Sequence, residues 1–119
     1  MSRWPAVQHL SFPVRDPKSS AAFYRDLLGF AAGHVSDDVA ELTMGETKLV
    51  LLRAGDAAPG GGAHFGFRED TRAAVDEWAG RARSAGARID DGPAVAPWGG
   101  YALYFRDPDG YQIEIWSDH

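Results

Sequence analysis

The run HLSFPVRDPKSSAAFYRDLLGF, residues 9 to 30, reads as a strand, a turn and a helix. His9 shares a face with Val7 and Ser11, while Leu10, Phe12 and Val14 take the other, apolar face. Asp16 is a capping residue, Pro17 suits the first helical position, where its missing N–H is not needed, and Gly29 suits the stop. Phe23 and Leu27 are expected to share the buried face of that helix. The plan returns in HFGFREDTRAAVDEWAGRARSAGA, residues 64 to 87, with Asp70 expected as cap, Val75, Trp78, Ala79 and Ala82 at helical spacing, and Gly86 as stop. Both runs begin with His, any residue, a small residue and Phe.

After each helix comes extended sequence with a hairpin: VAELTMGETKLVLL around Gly45, and YALYFRDPDGYQIEIW around Gly110. The unit is βαβββ, used twice. Pro59 to Gly62 mark the join, so the single domain, residues 1–119, divides into a first module of about 5–54 and a second of about 63–118. Neither half is large enough to bury a core alone. The expected fold class is α+β: two βαβββ modules forming a curved sheet trough with the helices outside. Gly60, Gly61 and Gly62 lead into a strand rather than a helix, so they read as a linker and not a phosphate-binding loop.

Composition narrows the chemistry. With no cysteine among 119 residues, disulfides, thiolate catalysis and Cys-ligated zinc are excluded, and any metal site must use His and carboxylate. Twelve Lys and Arg against 17 Asp and Glu, with no basic run, argue against nucleic acid as a partner. No apolar run is long enough for a membrane span, and the start MSRWPAVQHL lacks a secretory apolar core, so no membrane partner and a cytoplasmic location are expected.

In RDPDGYQIEIW, residues 106 to 116, the turn Asp107–Gly110 precedes a strand whose Ile113 and Ile115 share one face and whose Gln112, Glu114 and Trp116 share the other. By the same parity His64 lies with Gly66 and Arg68, opposite Phe65 and Phe67. His9, His64 and Glu114 are therefore all expected on the face away from the helices, and two imidazoles with one carboxylate suit a divalent metal that keeps positions open for substrate. His34 falls in a polar loop on this reading, and His119 is the terminus. Ser11, Arg53, Arg68, Tyr104 and Gln112 are candidate substrate contacts by strand parity. Trp98, in the Pro-Trp-Gly-Gly loop, and Trp116 offer aromatic planes for a flat ligand. Trp78 reads as helix core, and Trp4 as a packing residue at a subunit contact.

HLSFPV, FYRDLLGF, the strand from His64 and RDPDGYQIEIW together resemble the vicinal oxygen chelate superfamily, the glyoxalase, bleomycin-resistance and extradiol-dioxygenase group, over nearly the whole chain. The resemblance implies that His9, His64 and Glu114 ligate a divalent ion such as Fe, Mn, Ni or Zn. It also implies a homodimer, since relatives of this length usually complete each trough with halves from two chains. Glyoxalase I types commonly carry a fourth ligand on the last strand of the first half. Matching LVLL with QIEI puts Leu51 there, and leucine cannot ligate. A three-ligand site like that of extradiol dioxygenases or fosfomycin-modifying transferases remains, and Tyr104 matches a tyrosine of the former. The loop GPAVAPWGG has no lysine to hold a phosphonate, which the transferases would need. Two functions follow from the resemblance: a metal-dependent enzyme (glyoxalase-like lyase or isomerase, or extradiol-type dioxygenase) acting on a small oxygen-chelating substrate, or a bleomycin-resistance-like protein that sequesters a flat organic ligand.

Overall fold

Asp16 does cap the first helix: its carboxylate accepts from the Lys18 backbone N–H at 3.1 Å and from the Ser19 hydroxyl at 2.7 Å. The computed structural model describes residues 7–54 and 64–119. The expected glycine linker and Trp4 lie outside the described residues. The elements run β1 (His9–Val14), α1 (Pro17–Asp26), β2 (Ala31–Val35), β3 (Val39–Met44) and β4 (Thr47–Arg53), then β5 (His64–Arg68), α2 (Arg72–Ser84), β6 (Ile89–Val95), β7 (Tyr101–Arg106) and β8 (Gln112–Ser117). This is βαβββ twice. His34 lies within β2 rather than in a loop.

The chain divides into two compact units, Met1–Ala58 and Pro59–His119. Each contains one four-stranded mixed sheet, ordered β1-β4-β3-β2 in the first and β5-β8-β7-β6 in the second. First and last strands pair in parallel, and the other neighbours are antiparallel. A parallel pair requires a long crossover, here the helix and two intervening strands. In each unit the helix packs on its own sheet, α1 against β2, β3 and β4, and α2 against β6, β7 and β8.

The core of the first unit is made by Val14, Ala21, Tyr24, Leu27, Leu28, Phe30, Ala40, Leu42, Leu49 and Leu51, all buried. Leu27 is on the buried face as expected, but Phe23 is only half-buried, and Tyr24 takes the central place, with Phe30 tilted against it at 5.5 Å. Burial of an aromatic ring of this size is the largest single apolar contribution from α1. In the second unit Val75, Ala79 and Ala82 of α2 meet Leu103, Phe105, Ile113 and Ile115. Trp78 is half-buried rather than core. Its indole N–H donates to Glu69 Oε2 at 2.6 Å and Arg81 stacks on its ring at 4.5 Å, so the ring edge stays with polar partners. The cap of α2 is Thr71, not Asp70: the Thr71 hydroxyl accepts from Ala74 N–H at 3.1 Å, while the Asp70 side chain is exposed.

The β7–β8 connection is built on one buried carboxylate. Asp107 Oδ1 accepts the backbone N–H groups of Asp109 and Tyr111, each at 2.9 Å, and the Arg106 guanidinium donates to Gly110 O at 2.9 Å. Gly110 takes φ 90, a left-handed value that a side chain would oppose. Asp107→Ala should cost about 2–6 kcal/mol in a urea titration, because two buried amides lose their acceptor at about 1–3 kcal/mol each. Asp107→Asn, which keeps one acceptor oxygen, should cost less than half of that in the same urea titration.

Candidate metal and substrate site

Parity along β5 and β8 works as the sequence predicts. Ile113 and Ile115 are buried towards α2, while Gln112, Glu114 and Trp116 are half-buried on the open face beside His64, Gly66 and Arg68. The register puts Gly66 directly across from Glu114 on one side and Tyr104 across from it on the other. Three features converge on the Glu114 carboxylate. His64 Nε2 stands 3.6 Å from Oε1, the Tyr104 hydroxyl donates to Oε2 at 2.6 Å, and a Cβ on Gly66 would come within 3.1 Å of Oε1. Gly66 thus leaves the space into which the carboxylate folds. Glu114 is shielded, its side chain 12% exposed, while His64 is open at 46%.

Aromatic rings border this pair. The Tyr104 ring meets His64 edge-on at 6.2 Å, and Trp98 meets Trp116 edge-on at 5.6 Å. Trp98, on the loop between β6 and β7, is 55% exposed. Arg68 lies over the Trp116 ring at 5.9 Å while its guanidinium bonds Asp118 at 2.9 Å. Burial, and then the bond to Glu114, push the Tyr104 hydroxyl above the ordinary phenol range, so it keeps its proton as a donor. Gln112 is engaged elsewhere: its amide donates to Asp90 at 2.9 Å, beside the Arg106 guanidinium, which bonds the same oxygen.

In the first unit His9 and Ser11 are exposed on the open face of β1. His9 Nδ1 is 2.8 Å from Gln8 Oε1, and Lys48, its partner in register, pairs with Glu41 at 3.2 Å. The register corrects one equivalence. His9 pairs with Lys48 as His64 pairs with Gln112, so the position matching Glu114 is Val50, not Leu51. Leu51 is fully buried on the other face. Arg53 shares the parity of Leu49 and Leu51 rather than that of His9, at the exposed end of β4; the Ser19 hydroxyl is the main group that holds the Asp16 carboxyl low, and the Arg53 charge adds a lesser part. Valine, like leucine, cannot ligate, so the fourth position stays empty of donors.

Two atoms bound to one ion at about 2.0–2.2 Å with angles of about 90–110° stand about 2.8–3.6 Å apart. The His64–Glu114 separation and its nitrogen-and-oxygen donor set fit a divalent ion. Among the described residues no group of three or more His, Cys, Asp or Glu side chains forms a ready cluster. The sequence reading missed Gly66 as the residue that accommodates Glu114; the shared small third residue of HLSF and HFGF was its signal.

Two mixed sheets with equivalent strand order, each carrying one helix, define the vicinal oxygen chelate architecture. The chain belongs to the Glyoxalase/Bleomycin resistance protein/Dioxygenase superfamily, whose family model matches residues 6–115. It is 32% identical to the uncharacterized protein PA2024 of Pseudomonas aeruginosa, over 93% of this chain and 87% of that one. Among solved structures, the lactoylglutathione lyase of Agrobacterium tumefaciens superposes with a TM-score of 0.79 at 26% identity, covering 98% of this chain and 96% of that one. A glyoxalase/bleomycin resistance protein/dioxygenase from Nocardioides gives 0.81 at 21% identity, covering 98% and 85%, a likeness of fold. No helix among the described residues is long and apolar enough to cross a membrane.

Asp90 gives the site's edge a pH dependence. Burial acts most strongly on its carboxyl and raises it, but the bonds from Gln112 and Arg106 together with the Arg106 charge outweigh burial and leave it below its ordinary 3.8. A carboxylate depressed in the folded state stabilises fully above its unfolded value and loses that contribution as pH falls through the folded one. Thermal melts across the acid range should therefore show wild-type stability declining below about pH 4, and a shallower decline in Asp90→Asn.

Proposed function

We propose that the protein is a divalent-metal-dependent enzyme acting on a small oxygen-chelating substrate, with His64 and Glu114 as two ligands and His9 as the third. The observation that carries this reading is the Glu114 carboxylate, shielded, seated over Gly66, and presenting Oε1 to His64 Nε2 at 3.6 Å. A carboxylate shielded from water, with an imidazole and a phenol as its neighbours, is a place where a bound cation would supply the compensating charge. When His9 Nδ1 donates to Gln8, its Nε2 is the nitrogen left to coordinate. The third ligand comes from the first unit of the same chain or of a second chain in a homodimer. An ion there (Fe, Mn, Ni or Zn) would supply Lewis acidity towards two substrate oxygens or, as iron, activation of dioxygen.

The likeness to the Agrobacterium lactoylglutathione lyase supports a lyase or isomerase activity, whereas Val50 at the fourth-ligand position favours a three-ligand centre of the extradiol kind. Trp98 and Trp116 are proposed as substrate-facing residues of the second unit, with Arg68 held at their edge by Asp118, and Ser11 as a substrate-facing residue of the first. Arg53, by its register, belongs to the rim.

Elemental analysis of the protein without an affinity tag should find about one divalent ion per triad, lost in His64→Ala, Glu114→Ala and His9→Ala. Equal uptake by wild type and Glu114→Ala overturns the site. In sedimentation at micromolar concentration the chain should run as a dimer.

The exposed Trp98 ring beside Trp116 supports the second reading, capture of a flat ligand without turnover. On that reading Trp116→Ala weakens binding by about 1–3 kcal/mol while His64→Ala leaves it nearly intact. On the enzyme reading His64→Ala abolishes turnover. Calorimetry and product analysis of both variants separate the two.

A further inference from the structure

A phenol has one proton to give and lone pairs to receive. A carboxylate only receives, so the Tyr104 hydroxyl is the donor in its contact with Glu114. Its single proton goes to Glu114 Oε2 at 2.6 Å, and that direction is set by chemistry rather than by choice of rotamer. Trp98 is itself confined. Its ring occupies the space a Cβ on Gly100 would need, 2.0 Å away, and it meets Trp116 edge-on at 5.6 Å. At the far end, Glu114 Oε1 is boxed between His64 and the backbone of Gly66.

A carboxylate with both oxygens free can bind an ion through one or two of them. Here Oε2 already accepts a short hydrogen bond from a neutral donor, and only Oε1 faces the imidazole. We propose that Tyr104 is a positioning residue that clamps Glu114 Oε2 so that the carboxylate offers a metal ion one oxygen rather than two. This rests on the metal reading given above. Limiting the carboxylate to one oxygen leaves one more coordination position for a chelating substrate.

The test uses Co(II) alone as probe on the full chain after chelator treatment, with affinity read by calorimetry and coordination by the visible d–d absorption. Tyr104→Phe, which removes only the hydroxyl, should weaken Co(II) binding about 10- to 100-fold, the usual effect of losing a partner that orients a ligand. Its d–d absorption should also fall, because a two-oxygen carboxylate raises the coordination number; a change in packing alone does not move that band. Tyr104→Met, which removes ring and hydroxyl together, should shift both readouts in the same direction. Should Tyr104→Phe fail to fold, Tyr104→Met decides by the same two measurements. Affinity and spectrum unchanged in these variants, with Co(II) lost in Glu114→Ala, overturn the clamp and leave the metal site standing. Co(II) binding equal in wild type and Glu114→Ala removes the metal reading and the clamp with it.

Discussion

In each βαβββ unit the first strand lies parallel to the last, and this pairing decides what the open face of the sheet can hold. Parallel strands cannot be joined by a tight turn, so the helix and two further strands must be completed before the last strand docks beside the first. Docking then brings residues distant in sequence into direct opposition: Gly66 against Glu114, His64 against Gln112, Arg68 against Trp116. The antiparallel β7 adds Tyr104 on the other flank of Glu114. Every contact of the carboxylate depends on that register, because a slip by one residue would turn Glu114 into the apolar layer and Ile113 or Ile115 out of it.

The same pairing in the first unit yields a different chemistry from a similar frame. Ser11 stands where Gly66 does, and Val50 where Glu114 does, with Glu41 at the place of Tyr104. The carboxylate in the first sheet is thus displaced by one strand, and it pairs with Lys48 instead of an imidazole. The first unit therefore carries a Lys48–Glu41 ion pair beside His9, and the second carries a shielded carboxylate with an imidazole and a phenol. Duplicated architecture does not imply duplicated function.

Polar groups around the second sheet show how side-chain partners narrow a list of candidates. Arg68 and Gln112 both point as parity requires, yet Asp118 and Asp90 already hold them, while Tyr104 spends its proton on Glu114. Trp98 and Trp116 remain as the open aromatic surface, and His64 as the open donor.

Much of this was legible in the chain by itself. Period-two alternation placed His9, His64 and Glu114 on the sides of their strands away from the apolar residues, and Asp16-Pro17 marked the start of α1, because these signals depend on neighbours within a turn or a pleat. The repeated His-x-small-Phe and the two hairpins disclosed βαβββ twice. What the chain could not disclose was register between strands far apart in sequence. Matching LVLL to QIEI was off by one residue, and that single step put Leu51 where Val50 belongs and turned Arg53 to the wrong face. Thr71 rather than Asp70 as cap, and Tyr24 rather than Phe23 in the core, were likewise settled by which side chain reached a partner. Alternation is a property of one strand, whereas register is a property of two, and only the folded sheet, with Gly66 making room for Glu114, chooses between alternatives that the local pattern leaves equal.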